Sequence, residues 1–217
     1  MKFTTLSLFW IVISLVFAAL FLCSTAHAGP PLVCHPFDIG NAKSLPWTSE
    51  GWNLTGKETY DTKNLAADTI AILDADSTVL VHMETLRRAA VYAGTNSIVA
   101  KQLLLKLIAR ANAAGESGTV AARAKFDAGY LAETYKQYRW ISKSDTNPAQ
   151  GFDGYALVKQ ALQQTGDNPQ MEFAAALITL NGPAVEHQEY AQKAVAGAKS
   201  DALLARNLFS HFPRGAR

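Results

Sequence analysis

The chain has 217 residues, 49% of them hydrophobic and 18% charged, which suits one well-buried domain and excludes a disordered chain. Its 20 basic and 18 acidic side chains are spread without blocks and leave a formal charge of +2. Nucleic acid and anionic membrane surfaces both need clustered positive charge, so neither is an expected partner.

Residues 1–28 follow the logic of an export leader: Lys2 as a short positive region, an apolar run from Leu6 to Leu22, then Ala26-His27-Ala28. Cleavage is expected before Gly29. The apolar run is long for a signal core, so an uncleaved N-terminal anchor is the alternative, and only then is a membrane expected. Leu20-Phe21-Leu22-Cys23 looks like a lipoprotein signal but places a bulky Leu where a small residue is needed. Cleavage leaves one cysteine, Cys34, which has no internal disulfide partner.

Residues 29–60 form an irregular arm. Pro30, Pro31, Pro36 and Pro46 each remove a backbone donor and bias the preceding residue away from helix. Phe37, Ile39, Leu45, Trp47 and Trp52 argue against disorder and predict an arm pinned onto the helices. Asn53-Leu54-Thr55 matches a glycosylation acceptor, a pattern short enough to arise by chance.

From Asp61 to the C-terminus the pattern is helical. Asp61 caps a first helix ending between Asp74 and Ser77. A second spans about Thr78 to Ala93, on Val79, Met83, Leu86 and Ala90, with Gly94 placed to stop it. A third starts near Asn96 and stops before Gly115. The fourth, Thr119 to Lys143, is the longest: Val120, Ala124, Leu131, Tyr135 and Tyr138 share one stripe, with Arg123, Lys125, Glu133, Lys136 and Arg139 opposite. Gly129 marks a point where a neighbouring helix can approach closely. A fifth helix carries Tyr155, Val158 and Leu162 and ends near Gly166. Asn168-Pro169 opens a sixth, which Asn181-Gly182-Pro183 closes. A seventh runs from about Ala184 to Ala198 and an eighth from Ser200 to about Phe209, before a tail expected to fray.

No segment alternates with period two, so the expected class is all-α: about eight antiparallel helices in an irregular bundle or a short stack of helical hairpins, tetratricopeptide-like. The 34-residue tetratricopeptide pattern itself does not recur at a fixed period.

Few residues suggest chemistry. Cys34 and His35 are adjacent, with Asp38 nearby; they read either as a redox thiol or half of a metal or haem site, or as a small buried hydrophobe beside a backbone-bonded histidine. No four-ligand zinc set, haem-attachment signature, nucleophile elbow, phosphate loop or His-Glu-x-x-His occurs, so no catalytic residue, metal or cofactor is expected. His82, His187 and His211 read as ordinary helix residues. Arg87 either binds an acidic group in a groove or lies on a solvated face, and Glu84 with Arg88 reads as a surface pair. Tyr130, Tyr135, Tyr138 and Trp140, interleaved with Lys136 and Arg139, either line a peptide groove or belong to the core.

The wording GPPLVCHPFDIGNAKSLPW followed by YDTKNLAADTIAILDADSTVLVHMETLRRAAVYA resembles a family of uncharacterised exported bacterial proteins with a signal peptide and a helical body. The resemblance covers roughly residues 29–110. It implies export, to the periplasm or outside the cell, and gives weight to the Cys34-His35 arm; it carries no activity. The function expected is a non-enzymatic exported scaffold that binds a protein or peptide, with redox or metal sensing through Cys34 and His35 as the alternative.

Overall fold

The computed structural model describes residues 29–48, 54–75, 77–94, 96–142, 147–166 and 168–212. The leader, Trp52, the Asn53 acceptor and the last five residues lie outside these. Among the described residues the chain is all-helical, and no helix is long and apolar enough to cross a membrane.

The arm is not wholly irregular. Pro31–Cys34 forms one helical turn, α1, with Pro31 at its first position, where a missing N–H costs nothing. A 3-10 turn, Thr62–Asn64, is capped by the Asp61 carboxylate and leads into α2, Leu65–Asp74. Then come α3, Val79–Ala93, and α4, Ser97–Ala113, which Asn96 caps by accepting from the Ile98 and Val99 N–H groups. The long α5 is Thr119–Ser142. Asp153 caps α6, Gly154–Thr165; Asn168 caps α7, Pro169–Ile178; α8 is Ala184–Gly197; Asp201 caps α9, Ala202–His211.

Helix α5 is the hub, packing against α1, α3, α4 and α6. Its periodicity suggests one wet side, yet Ala121, Ala122, Phe126, Asp127, Ala128, Thr134 and Gln137 are buried along with Ala124, Leu131 and Tyr135 of the expected stripe. The run of Ala and Gly explains this: small side chains let neighbours close in from several directions. Val120, assigned to the stripe, is instead 72% exposed, while Ala121 and Ala122 beside it in the first turn are buried. Gly129 meets α6 backbone to backbone. A Cβ there would sit 2.5 Å from the Gly154 carbonyl oxygen, and one on Gly154 would sit 2.5 Å from that of Gly129.

Gly94 ends α3 for a packing reason rather than a conformational one. Its backbone is right-handed (φ −56°), but the Tyr138 ring occupies the place a side chain would take. Helix α9 runs two residues further than its pattern predicts. His211 and Phe212 do not fray: His211 stacks on Phe37 at 4.7 Å and Phe212 packs edge-on against Phe173 at 5.9 Å.

Candidate functional site

Four of the residues that sequence reasoning singles out, Cys34, His35, Asp38 and Arg87, converge where the arm meets the helices. The arm buries Leu32, Val33, Phe37 and Leu45 as completely as any helical core position, with Ile39 and Trp47 packed against the same core. An extended segment brings main-chain N–H and C=O groups into that core, and each needs a partner. The helices supply them from side chains. Gln137 on α5 accepts from the Leu32 N–H at 2.9 Å, and Glu84 on α3 accepts from the Phe37 N–H at 3.0 Å. Arg87 donates to the Val33 carbonyl at 3.2 Å and Arg88 to that of Leu45 at 2.5 Å. Asn207 on α9 bonds Asp38 twice, accepting from its N–H at 2.9 Å and donating to its carbonyl at 2.8 Å. The Tyr92 hydroxyl donates to the Pro46 carbonyl and accepts from the Lys57 N–H.

Arg87 is therefore on no solvated face: it is 1% exposed and grips Glu84 through Nε (2.7 Å) and a terminal nitrogen (2.9 Å). Glu84 and Arg88, expected as a surface pair, belong to the same buried group, with Arg88 Nε 2.6 Å from the carboxylate. The arm is what covers them. Trp47 closes the group from outside, its ring 4.8 Å from the Arg87 guanidinium carbon and 5.7 Å from that of Arg88.

Around Cys34 the geometry favours packing over thiolate chemistry. The thiol is half-buried, and burial pushes its pKa up, an effect that Arg87 opposes. His35 meets His211 edge-on at 5.6 Å, a juxtaposition across the whole chain with no local sequence signal. Among the described residues no three His, Cys, Asp or Glu side chains stand close enough to hold a metal ion. Burial drives His211 down to about 4, so it is neutral at physiological pH, with its ring also flanked by Phe37 and Phe173. Asp38 is exposed and pairs with Arg206 at 2.6 Å, which with the Gly40 N–H holds its carboxyl below the usual range.

The α5 aromatics do not line a groove. Tyr130 and Tyr135 are core residues and burial raises both hydroxyls; Tyr138 is half-buried against Gly94; Trp140 alone faces solvent. His82 is likewise no ordinary helix residue. It is fully buried, its Nδ1 2.6 Å from Asp127, which Arg110 also holds at 2.8 Å while reaching Asp74. His187 places its Nδ1 2.9 Å from the Ala176 carbonyl.

A different surface is left open. On the outer side of α4, Ile98 (68% exposed) and Leu105 (53%) stand with Lys101 and Gln102 along a recess of about 510 Å³ that Asn147, Pro148 and Gln150 also line. Sequence reasoning misses it because Leu103, Leu104 and Leu107 draw attention to the buried side of the same helix.

Comparison of the chain with protein families, with curated proteins and with solved structures finds no match.

Proposed function

We propose that this chain is an exported, non-enzymatic helical scaffold, tetratricopeptide-like in its stacked helices, whose work is to bind a protein partner. The observation that carries the reading is the outer face of α4, where two large aliphatic side chains are held in water beside an open recess. Scattered apolar side chains are ordinary on a protein surface; two on one helical stripe bordering a concavity are what a partner covers. The groups best suited to chemistry point the same way by default: Glu84, Arg87, Arg88 and Asn207 spend their hydrogen bonds holding the arm, and burial of Cys34 opposes a thiolate. Export and the bacterial family stand on the leader pattern and on the wording of residues 29–110.

A photo-crosslinking residue at Leu105 of the full-length chain, compared with one at the equally apolar and exposed Val120, tests this in the cells that make the protein. A discrete crosslinked species at 105 and none at 120 is the expected result. No crosslink at 105, or the same smear at both positions, overturns the reading.

A further inference from the structure

The α4 face also carries information about the chemistry of what covers it. From Thr85 to Gly115 the chain has five basic residues, Arg87, Arg88, Lys101, Lys106 and Arg110, and not one Asp or Glu. The three arginines are already engaged, two sharing the Glu84 carboxylate and the third held by Asp74 and Asp127. Lys101 and Lys106 are exposed and make no ion pair with any described residue. Two positive charges thus flank the Ile98–Leu105 stripe, and neither is paired with an acid among the described residues.

Geometry adds a shape. Ile98 and Leu105 are seven residues apart, two turns and about 10 Å along one side of the helix, with Lys101 and Gln102 between them and Lys106 one step beyond. A second helix laid along such a ridge meets it with apolar residues at i, i+3 or i+4, and i+7, the spacing by which helices interdigitate. Its apolar side chains enter the recess against Leu105 and Pro148, and its flanking side chains come to rest on the two lysines. Lysines drawn into a contact lose water and need compensating charge, so those flanking side chains are carboxylates.

We infer that the α4 face receives an acidic amphipathic helix of a partner protein. This rests on the scaffold reading above and names the partner's chemistry. A membrane surface fits less well, since electrostatic attachment to anionic lipid draws on clusters of about four to eight basic residues and only two free lysines stand here.

The test uses the full-length protein and a synthetic helix of about 14 residues, roughly 21 Å long, with Leu at i, i+4 and i+7 and Glu on either flank, followed by fluorescence anisotropy. Comparators are a scrambled peptide of the same composition, a version with Lys in place of Glu, and vesicles containing phosphatidylglycerol. The acidic helix is expected to bind about tenfold or more tightly than the scrambled or basic peptide, and less tightly as salt is raised. The double variant K101E/K106E is expected to lose that preference and favour the basic peptide. L105E should abolish binding, and the milder Leu105→Ser covers the case in which L105E misfolds, with thermal melting of each variant as the check. Equal binding of acidic and scrambled peptides, no binding, a preference for vesicles, or self-association through this face overturns the inference. A crosslink at Leu105 without acidic-helix binding removes only the partner's chemistry and leaves the scaffold reading standing.

Discussion

Two buried ionic groups share helix α3 and do different work. Around Glu84 the carboxylate gathers both guanidinium groups of its own helix and the Phe37 N–H, and the arginines pass on to the arm's carbonyls. Around Asp127 the carboxylate gathers His82 and Arg110, and Arg110 passes on to Asp74 and the Leu73 carbonyl at the end of α2. The second group ties helix to helix. The first makes a non-helical segment part of a helical core, and side chains do this because the interior turns of a helix have already paired their main-chain groups with one another.

That difference is broken most directly by removing each carboxylate. Glu84→Ala leaves Arg87 buried and uncompensated and the Phe37 N–H unpaired, at an expected cost of about 3–5 kcal/mol. Asp127→Ala is expected to cost less, about 2 kcal/mol, since Arg110 keeps Asp74 and reaches water, and the group left buried and unpaired is the His82 Nδ1 rather than a guanidinium. Urea midpoints measure both costs. The rate of Cys34 alkylation distinguishes them, rising steeply with Glu84→Ala as the arm loosens and little with Asp127→Ala. Equal alkylation in the two variants would show that the groups are not separate.

The next largest effect probes helix contact with no ionic component. Gly129→Ala drives a methyl into the Gly154 carbonyl, backbone against backbone, where neither side can swing away. Overpacking of this kind costs about 1–3 kcal/mol, and the loss should appear in the thermal midpoint with Cys34 protection unchanged. An unchanged midpoint would mean that α6 shifts freely along α5.

These two predictions mark what the sequence makes legible. Helix ends follow from caps whose chemistry is local: Asn96 and Asn168 each accept from main-chain N–H groups two and three residues ahead, and Asp201, where the pattern alone starts the helix at Ser200, does the same for Leu204. Gly129 is visible because a glycine inside a strong helical pattern needs a reason. The arm socket is not visible, because its members lie far apart. Nothing near Asp38 announces Asn207, 169 residues away, and nothing near His35 announces His211. Arg87 misleads because helical periodicity places charge outward by default, and only the position of the arm reverses that. The exposed α4 stripe escapes for the converse reason, since Leu103, Leu104 and Leu107 already give the helix a buried face and nothing local shows that Ile98 and Leu105 stand outside it.

An effect that grows only as the solution is acidified sharpens the arm side of the comparison. His211 has its pKa lowered by burial to about 4, against an unfolded value near 6.5. Below pH 6.5 the unfolded chain takes up a proton that the folded chain resists, so stability falls with pH across 6.5 to 4 and is complete above that window. The slope is at most about 1.4 kcal/mol per pH unit. His211→Asn should flatten it in urea titrations, and an unchanged slope would place the acid sensitivity elsewhere.

The smallest effect belongs to Asp38, which joins the same arm to the same helix through its side chain as well as its main chain. Its carboxyl is depressed first by the Arg206 hydrogen bond, then by the Gly40 N–H, so its contribution is present above the unfolded value near 3.8 and is lost as pH falls below it. This window lies under that of His211. Both partners are largely in water, however, and an exposed pair contributes only about 0–1 kcal/mol. Asp38→Asn keeps the two main-chain bonds to Asn207, whereas Asn207→Ala removes both and leaves them without a donor or acceptor from α9. The expected order in urea midpoint is Asn207→Ala well below Asp38→Asn, and Asp38→Asn close to the native chain. The reverse order would mean that charge, rather than main-chain bonding, fastens the arm to its C-terminal helix.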